Sequence, residues 1–253
     1  MKMTANFLKY SLILPLFLFG LACSKTDDAI TLNQENPEAE NPINTDTTAA
    51  SAATFNYLAL GDSYTIGQSV CEGCSFPIQL EAAYNAASDA NLQTKIIATT
   101  GWRTDQLIKA IAEDNPDASY DIVTLLIGVN NQYQHTSFSQ YETEFPKLLE
   151  TAIRLAGGDK NNVIVVSIPD YAFTPYGQSS SDPQKISDEL EKYNAFAKAI
   201  TENKGVTFLN ITDITQRGLQ EPELVASDGL HPSALAYKEF VERLLPLVKE
   251  KID

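Results

Sequence analysis

The chain has 253 residues, 43% of them hydrophobic, which suits one sizeable domain with a core of its own. Its 33 acidic residues outnumber 18 basic ones and leave a net charge of −15. A surface that acidic is repelled by phosphate backbones and anionic lipid, which argues against nucleic acid as a partner and against a membrane held by charge.

Residues 1–22 place Lys2 and Lys9 around a short apolar run that ends in small residues before Cys23. The run is too short and wrongly flanked for a spanning helix, and reads as a secretory signal peptide. The stretch GLAC resembles the lipobox of bacterial lipoproteins, although Gly20 stands where a large aliphatic residue is usual; an ordinary cleaved signal is the alternative. That resemblance implies export, lipid on Cys23, and anchoring in the bacterial cell envelope at the outer membrane as the only membrane contact. From residue 23 to 53 the composition turns to Asp, Glu, Asn, Thr, Pro and Ala. Too little apolar surface is available there to offset chain entropy, so a flexible tether is expected. Its start, SKTDD, resembles the acidic signals that carry some lipoproteins of Bacteroidetes-type bacteria to the cell surface, and reads equally well as an acidic linker.

Residues 54–253 are expected to form the folded domain. Five apolar runs, FNYLALG, TKIIAT, DIVTLLIG, NVIVVSIP and GVTFLNI, are rich in Val, Ile and Leu, as strands buried in a parallel sheet are. Helical patterns alternate with them. Ile78–Ala87 and Thr104–Ala112 come first. Tyr141, Phe145, Leu148, Ala152 and Leu155 then repeat at helical spacing, where Pro146 implies a kink or a late start. Ser181-Asp182 before Pro183 opens the fourth helix and Lys204-Gly205 ends it; the last begins near Pro232 and puts Ala236, Phe240 and Leu244 on one face. The alternation predicts an α/β fold, a single three-layer α/β/α sandwich on a mostly parallel five-stranded sheet. Functional groups on such sheets collect at the carboxyl ends of the strands.

Ser63 comes directly after the first strand in LGDSYT. A serine hydroxyl attacks only when a base takes its proton and a third group orients that base. The chain has two histidines, and His231 has Asp228 three residues before it in SDGLHPS, a spacing that lets the carboxylate fix the imidazole tautomer. His135 has no acidic residue closer than Glu142. Thr65 occupies the second glycine position of a G-x-S-x-G elbow, so Ser63 is not an ordinary α/β-hydrolase nucleophile.

Four short blocks in order, Gly61-Asp62-Ser63, Gly101 in IATTGWRT, Gly128 and Asn130 in IGVNN, and Asp228…His231, resemble those of the GDSL or SGNH hydrolases, closest to lysophospholipase-like and acyl-esterase members. Tyr64 replaces the leucine of the family name, and Asn131 stands where the family usually has aspartate. The resemblance implies a flavodoxin-like hydrolase fold and a triad of Ser63, His231 and Asp228. It implies an oxyanion hole made of the Ser63 and Gly101 backbone N–H groups and the Asn130 amide, with no metal or other cofactor. Asp62 reads as structural.

Cys71 and Cys74 in CEGC read first as a small-loop disulfide, with free thiols and a redox or metal pair as alternatives. Tyr64, Trp102, Tyr133, Tyr171, Phe173 and Tyr176 fall on loops expected to rim the site, and Tyr171 and Phe173 are expected to touch substrate. Tyr171, Phe173 and Tyr176 belong to YAFTPYGQSSSDP, which reads as a long polar loop without a clear helix or strand. Four functions remain: a serine esterase acting on short acyl esters or lysophospholipids, a carbohydrate O-acetylesterase acting on glycans, an inactive binding module, and, more remotely, a thiol oxidoreductase.

Overall fold

The computed structural model describes residues 52–252; the expected signal peptide, Cys23 and nearly all of the expected tether lie outside them. The strands are β1 (Thr54–Gly61), β2 (Asn91–Ala98), β3 (Ile122–Leu126), β4 (Val163–Val166) and β5 (Thr207–Leu209). They form one sheet in the order β2-β1-β3-β4-β5, with every pairing parallel. The helices, in chain order, are α1 (Ser63–Ile66), α2 (Phe76–Ala87), α3 (Thr104–Asp114), α4 (Val129–Tyr133), α5 (Phe138–Leu155), α6 (Pro175–Gln178), α7 (Pro183–Asn203), α8 (Thr212–Thr215) and α9 (Ala234–Ile252). Helices α2 and α9 pack together, while α5 lies between α3 and α7, so the sheet carries a helical layer on each face. The α/β/α sandwich expected from the alternation is the fold.

The apolar runs become strands according to their place in the sheet. β3 and β4 are central and buried at every position, as covered parallel strands must be. The edge strands differ from the expectation of two buried faces. β2 mixes exposed and buried positions, and β5 shrinks to three half-buried residues. Helix α5 begins at Phe138, eight residues before Pro146, so proline does not delay its start. Tyr141 and Phe145 before the proline, and Leu148, Leu149 and Ala152 after it, are all buried and hold both halves against the sheet.

The expected structureless loop after β4 is folded. Tyr171–Phe173 forms a 3-10 turn capped by Asp170, and α6 comes next, capped by the Thr174 hydroxyl. Tyr171, Ala172, Thr174 and Gly177 are buried, which gives these short turns the packing their length alone does not supply.

Strand register brings the functional loops together. Gly61 at the end of β1 pairs with Ala98 of β2 and Leu126 of β3, so three strands end level with one another. The loops leaving them meet where the strand order reverses, at the crevice such sheets offer to ligands.

Candidate active site

Each level strand end delivers one piece. Ser63 opens α1, and its N–H, being the first of a helix, has no intrahelical acceptor. Asp62 caps that turn by accepting the Tyr64 N–H at 3.0 Å. After β2, Gly101 turns the chain at φ +85, a left-handed conformation that glycine adopts without strain. After β3, Gly128 caps α4 at φ +129, and a Cβ there would come within 2.6 Å of the Tyr141 ring. Asn130 therefore rides on a turn whose entry is packed tight.

The fourth piece comes from 168 residues beyond the serine. Ala226 N–H donates to the His231 carbonyl at 2.7 Å, closing a small loop ahead of α9. Within it Asp228 Oδ1 accepts the N–H groups of Leu230 at 2.9 Å and His231 at 3.0 Å. Asp228 Oδ2 lies 2.6 Å from His231 Nδ1, and His231 Nε2 lies 3.0 Å from Ser63 Oγ. Partial burial pushes the Asp228 carboxyl up. Hydrogen bonds from the Ser69 hydroxyl, the His231 N–H and ring, and the Leu230 N–H outweigh that and hold it well below the usual carboxylate range. An ionised Asp228 keeps the proton on Nδ1 and leaves Nε2 free to accept the serine proton. The tilted ring of Tyr64, 5.5 Å between centroids, packs against the imidazole.

Ser63, Gly101, Asn130 and His231 line one cleft of about 190 Å³, together with Tyr64, Tyr133, Tyr171 and Leu230. Trp102 is half-buried against the core and Phe173 is half-buried; neither lines this cleft. Tyr176 lies on an adjoining groove, where its hydroxyl meets that of Tyr133 at 2.6 Å. His135 is exposed, stands at φ +54 and faces the same groove rather than Ser63.

The 99–103 loop is stitched to α4. Asn130 Nδ2 donates to the Trp102 carbonyl at 3.1 Å and, more weakly, to Asp62 Oδ2 at 3.4 Å. Gln134 Nε2 donates to the Gly101 carbonyl at 2.8 Å. Buried Asn131 accepts the Thr104 N–H at 3.1 Å and donates to the Thr104 hydroxyl oxygen at 2.8 Å. This explains asparagine at 131: the Thr104 hydroxyl donates to Glu144, at 2.5 Å, so its oxygen needs a donor that aspartate does not supply.

Cys71 and Cys74 are joined in a disulfide. It belongs to the loop that follows Ser63 and α1 and does not line the cleft. The contacts made by Asn131, Gln134 and Ser69 are absent from the motif reading. Only Asn131 carried a signal, as the departure from aspartate.

Solved structures share this architecture. A lipase/acylhydrolase from Enterococcus faecalis matches with a TM-score of 0.60 at 17% identity, over 79% of this chain and 97% of that one. An acetyl xylan esterase from Geobacillus stearothermophilus matches at 0.59 and 16% identity, over 80% and 98%. Among curated proteins, the secreted effector protein SseJ of Salmonella typhimurium is 31% identical over 94 residues, 35% of this chain and 23% of that protein. The chain thus spans about a quarter of the length of that relative. Residues 59–239, well over half of the sequence, match the GDSL-like Lipase/Acylhydrolase family, and the chain accordingly belongs to that family.

Proposed function

We propose that the chain cleaves acyl esters through a covalent serine intermediate. Ser63 Oγ attacks the carbonyl carbon while His231 takes its proton, and Asp228 orients the imidazole and stabilises the imidazolium. The alkoxide of the tetrahedral intermediate is held by the N–H groups of Ser63 and Gly101 and by the Asn130 amide. Donors of this kind contribute about 3–4 kcal/mol each in the transition state. His231 then protonates the leaving alcohol, and water repeats the sequence to release the acid. The observation that carries this reading is the continuous line Ser63 Oγ, His231 Nε2, His231 Nδ1, Asp228 Oδ2, at 3.0 and 2.6 Å.

Short acyl esters or lysophospholipids are the first substrate reading. A second is favoured by the groove beside the cleft, about 360 Å³, which shares Tyr133 and Tyr171 with it. Gln132, Ser179, Ser180, Ser181 and Asp182 give that groove hydroxyl, amide and carboxylate partners beside the exposed rings of Tyr133 and Tyr176. Such a surface suits a hydroxyl-rich alcohol, so an O-acetylated carbohydrate is the alternative substrate.

The test is hydrolysis of p-nitrophenyl acetate, butyrate and octanoate, and of acetylated xylan, by the full chain and by Ser63→Ala. The variant is expected to lose about 10⁴-fold or more in kcat. Turnover that persists in it would overturn the serine mechanism. Release of acetate from xylan with little turnover of octanoate would select the carbohydrate reading.

Export and anchoring through Cys23, with residues 23–53 as a tether for a 54–253 hydrolase domain, complete the proposal. Similarity to a protein described as a secreted effector supports export alone, and the lipobox-like GLAC is what supports anchoring.

A further inference from the structure

Ser69 lies in the loop between α1 and α2 and belongs to neither the triad nor the oxyanion donors. Its hydroxyl nevertheless donates to Asp228 Oδ2 at 2.6 Å, across 159 residues of sequence. That oxygen is the one facing His231 Nδ1, also at 2.6 Å. The other carboxylate oxygen is occupied by the backbone N–H groups of Leu230 and His231. One oxygen therefore fixes where the carboxylate sits, and the other is shared between Ser69 and the base.

The loop holds the serine in this place. Ser69 stands at φ +67, a left-handed conformation that costs a non-glycine residue free energy and persists only where surrounding contacts hold it. Gly67 and Gln68 donate back to the Ser63 carbonyl at 3.1 and 3.0 Å, and the Gln68 side chain accepts from the Thr100 hydroxyl at 2.7 Å. The Cys71–Cys74 disulfide closes the next turn, and Gln79 Nε2 donates to both the Cys74 carbonyl and the Ala234 carbonyl at the start of α9. Nucleophile, loop, acid and base form a closed ring of contacts.

We infer that Ser69 is a positioning residue that sets the strength of the base: by sharing Asp228 Oδ2 with His231 it limits how tightly the carboxylate binds the imidazolium. The inference rests on His231 being the general base. Two donors on one oxygen compete for its electron density, so removing one strengthens the bond to the other. Burial aside, which acts the opposite way, the Ser69 bond is the largest influence on the Asp228 carboxyl. The titratable groups facing the pair from other elements are Asp62 ahead of α1, Tyr64 on α1, Asp170 and Tyr171 ahead of α6, and Tyr237 on α9. A change at residue 69 leaves all of these in place.

The experiment is an NMR titration of the two imidazoles in the full chain, for the native protein and Ser69→Gly, with the signals assigned by His135→Gln. Glycine is chosen because it adopts φ +67 freely, so the loop keeps its course without the hydroxyl. His231 is expected to titrate about half a pH unit higher in Ser69→Gly, with His135 unmoved. Ser69→Ala is expected to give the same rise. Ser69→Asn, which tolerates the left-handed conformation and restores a donor, is expected to return the midpoint toward the native value. An unchanged or lowered His231 midpoint in Ser69→Gly and Ser69→Ala overturns the inference. No substrate is involved, so this outcome is read separately from the Ser63→Ala ester assay, whose failure would concern the nucleophile alone.

Discussion

Asp62 caps the helix that Ser63 opens yet has no surface exposed to water, and burial pushes its carboxyl up to about 7 against the bonds from the Tyr64 N–H and Asn130. A carboxyl raised in the folded state stabilises the protein most when it is protonated. Stability at this site is therefore greatest below the ordinary carboxylate range, near pH 4, and is lost as pH rises to about 7. The slope is about 1.4 kcal/mol per pH unit over that window, on the order of 4 kcal/mol in all. Asp62→Asn keeps a capping oxygen for Tyr64 and cannot ionise. Urea unfolding across pH 4 to pH 8 is expected to show this loss in the native chain and its removal in the variant; parallel curves would refute it. A structural role for Asp62 was legible beside Ser63, but its capping of α1 was not. Nor was its buried bond to Asn130, 68 residues away.

At the scale of elements, the proposed oxyanion donors depend on two short pieces staying together, the 99–103 loop and α4. Neither is long enough to be stable alone. Asn131 joins them at Thr104, and Asn131→Asp would set a buried carboxylate against an oxygen that lacks a donor, with Glu144 on its other side. The variant is expected to lose about 1–3 kcal/mol in urea unfolding, more at pH 8 than at pH 5 because ionisation adds a buried charge. Native stability at both pH values would contradict the role given to Asn131. The long helices were readable because their buried faces repeat in sequence, from Tyr141 to Leu155 and from Ala236 to Leu244. The turns α1, α4 and α6 were not, since four or five residues hold no period and owe their shape to what they pack on.

For the whole molecule, a net charge of −15 disfavours anionic surfaces, and the proposed route to a membrane is lipid on Cys23. Native protein made in a bacterial host is expected to incorporate labelled fatty acid and sediment with membranes, and Cys23→Ala to do neither. Equal labelling of the two would dispose of the anchor. The strand and helix alternation, the four family-like blocks and the Asp228–His231 spacing were all present in the linear sequence, because each depends on residues close to one another along the chain. The tertiary structure alone decided the level ends of β1, β2 and β3, the distance and line from His231 to Ser63, and the donors gathered around Asp228. Those depend on strand register and on contacts between residues as far as 168 positions apart, and no local pattern encodes them.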